Sequence, residues 1–327
     1  MAEGLGLKSF CGLAFQESMG VVQTTSVHWA RMLSNGIAED IGVLEGQRLQ
    51  GRYNEGLARQ GQRTIAGDLV FEPDMHTLAA CLHAVLGVTA TTSATNSAVH
   101  AITETASAFH PKYAVQPFAA LCGYDVGTGF TFYNLAANQL TLDFAAGEFV
   151  KATLNCIGGY ASHNAEYTTA FPASPIAEAA DWSTVSLSLA GTAVDFVSQM
   201  QITLMNNLVH RPTLDATPYP GRVKREGFRQ ARFTATLEFE DLGEYTKWRA
   251  ETTQTMALHF TRGLDTATLY AGRMRYDSFP MTPDGPGPIN ISVSGRFEHN
   301  SSSGDAFQAS ILTWSYGMDS VGNGTVV

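Results

Sequence analysis

A strand followed directly by a helix occurs twice in this sequence, and this repeat constrains the fold more than any other feature. The segments 64–72 and 232–240 alternate apolar and polar residues with the two-residue period of a half-buried strand. A helix signal follows each of them. Asp74 and Gly87 are typical of the start and the stop of the first helix, and a capping-box spacing begins at Asp241 in the second. The sequence therefore predicts two copies of one structural unit.

Further strand signals flank each strand–helix step in the same order. A strand and a long polar loop precede the step, and two strands follow it. The segments involved are 41–44, 138–144 and 150–156 in the first unit, and 199–205, 268–276 and 289–295 in the second. The first unit is longer, and much of the excess is the Ala/Thr/Ser-rich segment Val88–Ala108, which we expect to be an extended surface excursion.

The expected fold class is mainly β, with two tandem β-sandwich or barrel domains. Each domain should carry one flanking α-helix and one long projecting loop. The segment Ala161–Thr184 is polar and contains prolines, which is typical of a linker between domains. We therefore expect a first domain at residues 1–170 and a second at residues 171–327.

The chain is acidic, yet many of its basic residues lie in the two loops. It has 20 Lys+Arg against 30 Asp+Glu, a formal net charge of −10. This balance argues against a protein that grips DNA, because phosphate binding requires a basic surface. The loops Arg48–Arg63 and His210–Gly227 are locally basic. Their cations, together with the adjacent Arg229, are Arg48, Arg52, Arg59, Arg63, Arg222, Lys224, Arg225 and Arg229.

The sequence shows no familiar motif for catalysis or cofactor binding. It lacks the glycine-rich loops that bind nucleotides, the HExxH zinc motif and the GxSxG nucleophile motif. We expect no catalytic residue, no cofactor and no metal, and we expect the four cysteines to be reduced thiols because they are far apart in sequence. We also expect a soluble protein made without export, since no apolar run could cross a bilayer and the first residues lack a basic signal segment.

The order and pattern of these elements resemble the major tail tube proteins of long-tailed, siphovirus-like bacteriophages, in a duplicated two-domain form. The resemblance extends from about Val21 to Trp314. The residues that carry it are Arg63–Asp74 with the helix to Gly87, and then Leu140–Phe144, Gly147–Leu154 and Gly158–Gly159.

This resemblance implies a structural virion protein whose sheets join between subunits into rings. The rings would stack into a hollow tail tube through which DNA passes without specific binding. Single-domain relatives form rings of six, so three copies of a duplicated chain would give a similar pseudo-hexameric ring, with a ring of six chains as the alternative. The resemblance also implies synthesis in the host cytoplasm, tape-measure and tail-end proteins as partners, and no membrane.

Electrostatics adds an expectation about two surfaces of such a tube. A channel that passes a polyanion should be lined by acidic or neutral groups, because each cation would hold a phosphate. The two basic loops are candidates for contacts with acidic surface on the next ring. The candidate lumen-facing acids are Asp68, Asp143 and Glu148.

Other function classes stay open at this point. Another virion component, such as a tail terminator or a capsid decoration protein, would form one ring or bind a shell and would not polymerise. A carbohydrate- or receptor-binding β-module would carry exposed aromatic clusters, which the sequence does not show plainly. An enzyme on a β-scaffold would need a site that no motif reveals.

Overall fold

A computed structural model describes residues 10–16, 27–45, 58–93, 97–105, 108–110, 112–124, 128–164, 178–214, 218–281, 289–301 and 304–314. The fold is mainly β and antiparallel, as expected. In this part of the chain the strands are β1 (Phe10–Phe15), β2 (His28–Ala30), β3 (Met32–Asn35), β4 (Ala38–Glu45), β5 (Ala58–Phe71), β6 (Gly87–Ser93), β7 (Ser97–Glu104), β8 (Phe118–Tyr124), β9 (Thr128–Ala145), β10 (Lys151–Asn164), β11 (Val185–Leu189), β12 (Thr192–Val194), β13 (Val197–Met205), β14 (Leu208–Arg211), β15 (Arg222–Arg225), β16 (Gln230–Glu238), β17 (Gln254–Arg262), β18 (Asp265–Ser278), β19 (Asn290–Phe297) and β20 (Gln308–Trp314). The helices are α1 (Met75–Leu86) and α2 (Gly243–Arg249), with a short 3₁₀ turn at Trp182–Thr184.

Most of the strands belong to one antiparallel sheet, and β14 with β15 forms a separate two-stranded ribbon. Within the large sheet, neighbouring strands run in the order β4–β5–β10–β9–β13–β16–β19–β18. We call these strands the central sheet. Strands from both halves of the sequence thus lie side by side in one layer.

The two halves of the sequence repeat one order of pairing. In the first half the neighbours run β2–β1–β8–β9–β10–β5–β4. In the second half they run β12–β11–β17–β18–β19–β16–β13. A register shift recurs as well, at Phe118/Ala120 between β8 and β9 and at Gln254/Met256 between β17 and β18. The repeat in the hydrophobic pattern is therefore also present in the strand topology.

The strand pairing corrects the alignment of the two units. Phe71 pairs with Ala152 and Leu237 pairs with Ile291, and these partners are the third residues of the matched segments 150–156 and 289–295. Phe71 is thus equivalent to Leu237, and the match of 64–72 with 232–240 is wrong by two residues. A shift of that size keeps the same side chains inward, so alternation alone cannot detect it.

Helix α1 is buried more deeply than a flanking surface helix. Asp74 accepts a hydrogen bond from the backbone nitrogen of Thr77 at 2.7 Å, and Gly87 ends the helix with φ 96°, so the predicted start and stop are confirmed. Every residue of α1 apart from His76 is buried. It packs against β9 as well as β7 and β20. Helix α2 is short, with no buried residue, and lies at the surface.

The expectation of a surface excursion at Val88–Ala108 holds for β6, which has no buried residue, but it misses the pairing of this segment with the sheet. The segment forms the hairpin β6–β7, and β7 pairs with β20 from the other end of the chain, with Ile102 opposite Ala309. Ile102 and His100 are buried. The many threonines were the sign of a surface segment in the sequence, although threonine is common in strands.

The apolar residues of both halves form one main core, which reaches from Cys11 to Ile311. All four cysteines are free and buried. The expected boundary between residues 170 and 171 lies outside the described residues. In the part of the chain described above, no helix has the length and apolarity needed to span a bilayer.

Candidate assembly surfaces

One face of the central sheet carries rows of short polar side chains. The alternate residues, such as Leu142 on β9 and Ile202 on β13, point to the opposite face and are buried in the core. We call the outward residues of β5 (from Thr64), β10, β9, β13, β16, β19 and β18 the polar face. Two of its cross-strand rows are Lys151, Asp143, Gln201, Thr234 and Thr153, Thr141, Thr203, Arg232. Hydroxyl and amide groups supply five of these eight side chains, and the second row continues across β19 and β18 with Arg296 and Arg275.

Acids and bases on the polar face largely offset each other. The acids include Asp68, Asp143, Glu238 and Asp277. The bases include Lys151, Arg232, Arg275 and Arg296. Lys151 pairs with Glu148 at 2.9 Å, and Arg296 pairs with Asp277 at 2.7 Å. Such exposed ion pairs stabilise a fold by about 1 kcal/mol or less. Their effect here is local neutralisation, which leaves less free positive charge for a phosphate.

The three acids expected to face the lumen take two different positions. Asp68 and Asp143 lie on the polar face, where they accept hydrogen bonds from Asn155 at 2.7 Å and from Gln201 at 2.6 Å. Glu148 lies in the turn between β9 and β10, at the end of the sheet. Two of the three acids therefore share one surface.

The two halves of the chain join edge to edge through β9 and β13. Their pairing runs from Ala145 opposite Gln199 to Gln139 opposite Met205. As a result β13 is covered on both of its edges, by β9 and by β16. Backbone groups make such a junction, so any strand edge of matching shape could accept a partner in the same way.

Strands β3 and β4 hold the place in the first half that β13 holds in the second. The pairing of β3 with β5 begins with a register shift at Met32/Ser34, and the pairing of β13 with β16 begins with a similar shift at Val197/Gln199. Among the described strands, β3 and β4 pair with β5 alone. We call the outer edge of β3 and β4 the open edge.

Apolar side chains on the open edge are exposed. Val43 and Leu44 of β4 are each 64% exposed. Leu208 is the residue equivalent to Val43, because it follows Thr203 at the same spacing as Val43 follows Ala38. Leu208 is nevertheless only 5% exposed, because the first half of the chain covers it. The alternating sequence pattern does not reveal this surface. The feature of the sequence that indicates this surface is the pair of adjacent apolar residues, Val43 and Leu44, which is typical of a strand covered on both faces.

The second basic loop folds back onto the central sheet. Its base forms the ribbon β14–β15, in which Val223 is fully buried in a cluster that includes Ala136 of β9. Further along, the ring of Tyr219 contacts the ring of Tyr160 on β10, with centroids 4.4 Å apart. Leu214 is fully exposed. The loop is thus anchored at its base and presents other residues to solvent.

Several of the candidate loop cations have partners within the chain. Arg225 and Arg229 both donate to the side-chain oxygen of Asn206, at 3.1 and 3.0 Å. Arg229 also pairs with Glu104 at 3.4 Å, and burial lowers the pKa of Arg225. Arg63 forms an ion pair with a carboxylate of β4 at 3.3 Å. These three arginines hold the loops to the body of the protein.

The other candidate cations are more open to solvent or undescribed. Arg59 and Arg222 are exposed, and Lys224 is half-buried. Arg48 and Arg52 lie outside the described residues. A contact with another subunit is therefore easiest to test at Arg222.

A comparison with protein families supports a role in assembly for these surfaces. A family model described as "Phage tail tube protein" matches residues 6–297. The chain belongs to the phage tail tube protein family. A comparison with curated proteins finds no match. The tail tube protein is thus a component of the virion tail, and its family assembles into a tube together with other tail proteins.

The match confirms the identification made from the sequence pattern. It supports a structural role in the tail tube over a tail terminator, a capsid decoration protein or a binding module. The family is a structural one, which agrees with the expectation of a protein without catalytic function.

Proposed function

We propose that three copies of this tail tube protein close into one ring, and that the rings stack into the tube. The observation that carries this proposal is the junction of β9 with β13 inside each chain. In this junction a strand of the first structural unit pairs with an edge strand of the second. The open edge offers the same kind of receptor to a neighbouring copy, so units could follow one another around the ring.

In this proposal the end of β18 and the described residues 279–281 take the role that β9 plays inside the chain. The open edge of the next copy receives them, and Val43 becomes buried as Leu208 is. The contact is heterologous, because two different surfaces meet, and three such contacts close the ring. Each chain then contributes two units, which gives a pseudo-sixfold ring.

We further propose that the polar face lines the lumen. Asp68 and Asp143 would face the DNA, and Glu148 would lie at the rim. Phosphate groups passing this surface would meet hydroxyls, amides, cations that are paired with carboxylates, such as Lys151 and Arg296, and also Arg232, whose partner is the amide oxygen of Gln230. DNA would then pass without being held, because strong binding requires free cations that release counterions.

The basic loops would contact the next ring, where acidic groups receive them. Arg48, Arg52, Arg59, Arg222 and Lys224 are the candidates for direct contacts. Arg63, Arg225 and Arg229 would act by holding the loops in place, because their partners lie within the chain. Tape-measure and tail-end proteins would bind the finished tube. Folding of the chain in the host cytoplasm would precede assembly.

Electron microscopy of the purified protein, combined with measurement of the particle mass, tests the proposal. Stacked rings with a central hole are expected. A ring of three 35.1 kDa chains has a mass of about 105 kDa, whereas a ring of six has about 211 kDa. Compact monomers at every concentration would contradict tube formation, and the larger ring would contradict the trimer alone.

A further inference from the structure

An exposed aromatic residue and a cavity lie at opposite ends of strand β16. Phe228 is located just before the strand begins, and its side chain is 91% exposed. The cavity opens beyond the other end of the strand and is lined by apolar residues and acids. Its lining includes Phe196, Leu237, Phe239, Phe279 and Ile291, with Glu238, Glu240, Asp241, Glu244 and Lys247.

The backbone around Phe228 is well anchored, which makes its exposure notable. Its carbonyl oxygen accepts a hydrogen bond from the side chain of Asn207 at 2.6 Å. The next residue, Arg229, is tied to Asn206 and Glu104. An aromatic side chain in water forgoes the stabilisation that burial would bring, and the backbone that carries it is already ordered before a partner covers it.

The cavity has the right size and chemistry to receive this side chain. Its volume is about 220 Å³. A cavity of about 150 Å³ in another protein holds benzene, so a phenyl ring fits. Leu237 and Ile291 are buried in its wall, and Phe239 adds an aromatic surface.

The charges at the two ends are complementary. Around the cavity there are four carboxylates and one lysine, and Glu238 and Glu240 have no ion-pair partner among the described residues. The end that bears Phe228 presents the exposed Arg222, together with Arg211, which forms a 4.0 Å ion pair with Glu226. Opposite charge orients the approach of two copies and opposes a reversed docking.

We propose that Phe228 of one copy inserts into this cavity of a second copy in the adjacent ring. The inference deepens the proposed function, on which it rests, by naming the two surfaces that meet when rings stack. The surfaces lie at opposite ends of one strand, so each copy offers one to the ring above and one to the ring below. A contact of this kind repeats without limit along the tube axis.

Replacement of Phe228 by Ala separates stacking from ring closure. The F228A variant should fold and form rings, but the protein concentration needed for stacking should rise by about tenfold or more, because a buried phenyl contact is lost. Leu264→Ala is the control, since Leu264 is 52% exposed in the turn between β17 and β18. Sedimentation velocity and electron microscopy would measure rings and stacks separately. Tubes of F228A that assemble at the wild-type concentration would overturn the inference.

Disulfide trapping tests the geometry while keeping Phe228. A side chain at Gly227 meets only Asn207 at ordinary contact distance, so Gly227→Cys is compatible with the fold. Glu240→Cys places the second thiol beside the cavity, while the four native cysteines stay buried. Within one copy these positions are roughly 40 Å apart along an extended strand, so they can bond only between copies.

The double variant should give a ladder of covalent multimers on oxidation, whereas either single variant should give no ladder. Tubes of the double variant that remain monomeric on a denaturing, non-reducing gel would overturn the docking and leave the tube function standing. Failure of the wild-type chain to form rings would instead overturn the proposed function.

Discussion

The open edge provides the most direct test of ring closure. Val43 and Leu44 are each 64% exposed, whereas Leu208 at the equivalent place is 5% exposed. If a neighbouring copy covers the open edge to the same extent, more than half of the Val43 side chain becomes buried, and a smaller part of Leu44, because its equivalent Val209 is half-buried. Full burial of such a side chain is worth about 2 kcal/mol, so the pair contributes roughly 2 kcal/mol to each interface.

The double variant V43K/L44K should therefore weaken each interface by about 30-fold or more. Replacement by lysine adds the cost of burying charge. Sedimentation velocity should show mostly monomer at concentrations where the wild-type chain forms rings. Circular dichroism should show an unchanged melting temperature, because both residues face solvent in the isolated chain. The control is V88K/V99K on the hairpin β6–β7, where the valines are 42% and 38% exposed. Rings of V43K/L44K at the wild-type concentration would refute the reasoning.

Three further predictions concern the loops and the fold. Asn206→Ala should reduce the free energy of unfolding by about 3–4 kcal/mol in urea titrations, because its side chain bonds two carbonyls and two arginines; an unchanged midpoint would argue against it. Arg222→Glu should slow tube growth with the melting temperature unchanged, whereas Arg225→Glu should lower that temperature; the reverse pattern would contradict the assigned roles. Burial lowers the pKa of His28 to about 4, so the unfolded chain binds the proton more readily and stability should fall by roughly 3 kcal/mol between pH 6.5 and pH 4. Thermal melts of His28→Gln should show a weaker pH dependence, and an equal one would exclude His28 as the source.

The local elements of the fold follow from short-range sequence features. The alternation around Ile65 and Phe233 predicts which residues enter the core, and both are buried. Asp74 and Gly87 mark the ends of α1 because each provides a specific hydrogen-bond or backbone geometry. The family identification rests on the same features, since it depends on the order of strands and helices.

The assembly surfaces were less predictable, because they depend on which edges are left unpaired. Arg225 and Arg222 look alike in the sequence, yet Arg225 turns inward to Asn206 and Arg222 faces solvent. A charge in a loop pattern indicates a polar environment but does not identify its partner. Phe228 gave no signal in the sequence, since one phenylalanine in a polar loop is unremarkable until its exposure is known.

The sequence by itself determined the mainly β fold, the repeated order of elements and the inward face of each strand. Side-chain polarity carries that information, because its period reports burial. The tertiary structure alone decided that β9 joins β13, that β7 joins β20 and that β3 and β4 pair with β5 alone among the described strands. Backbone hydrogen bonds make these pairings, and every residue other than proline offers the same donor and acceptor, so the sequence pattern leaves the choice of neighbour undetermined.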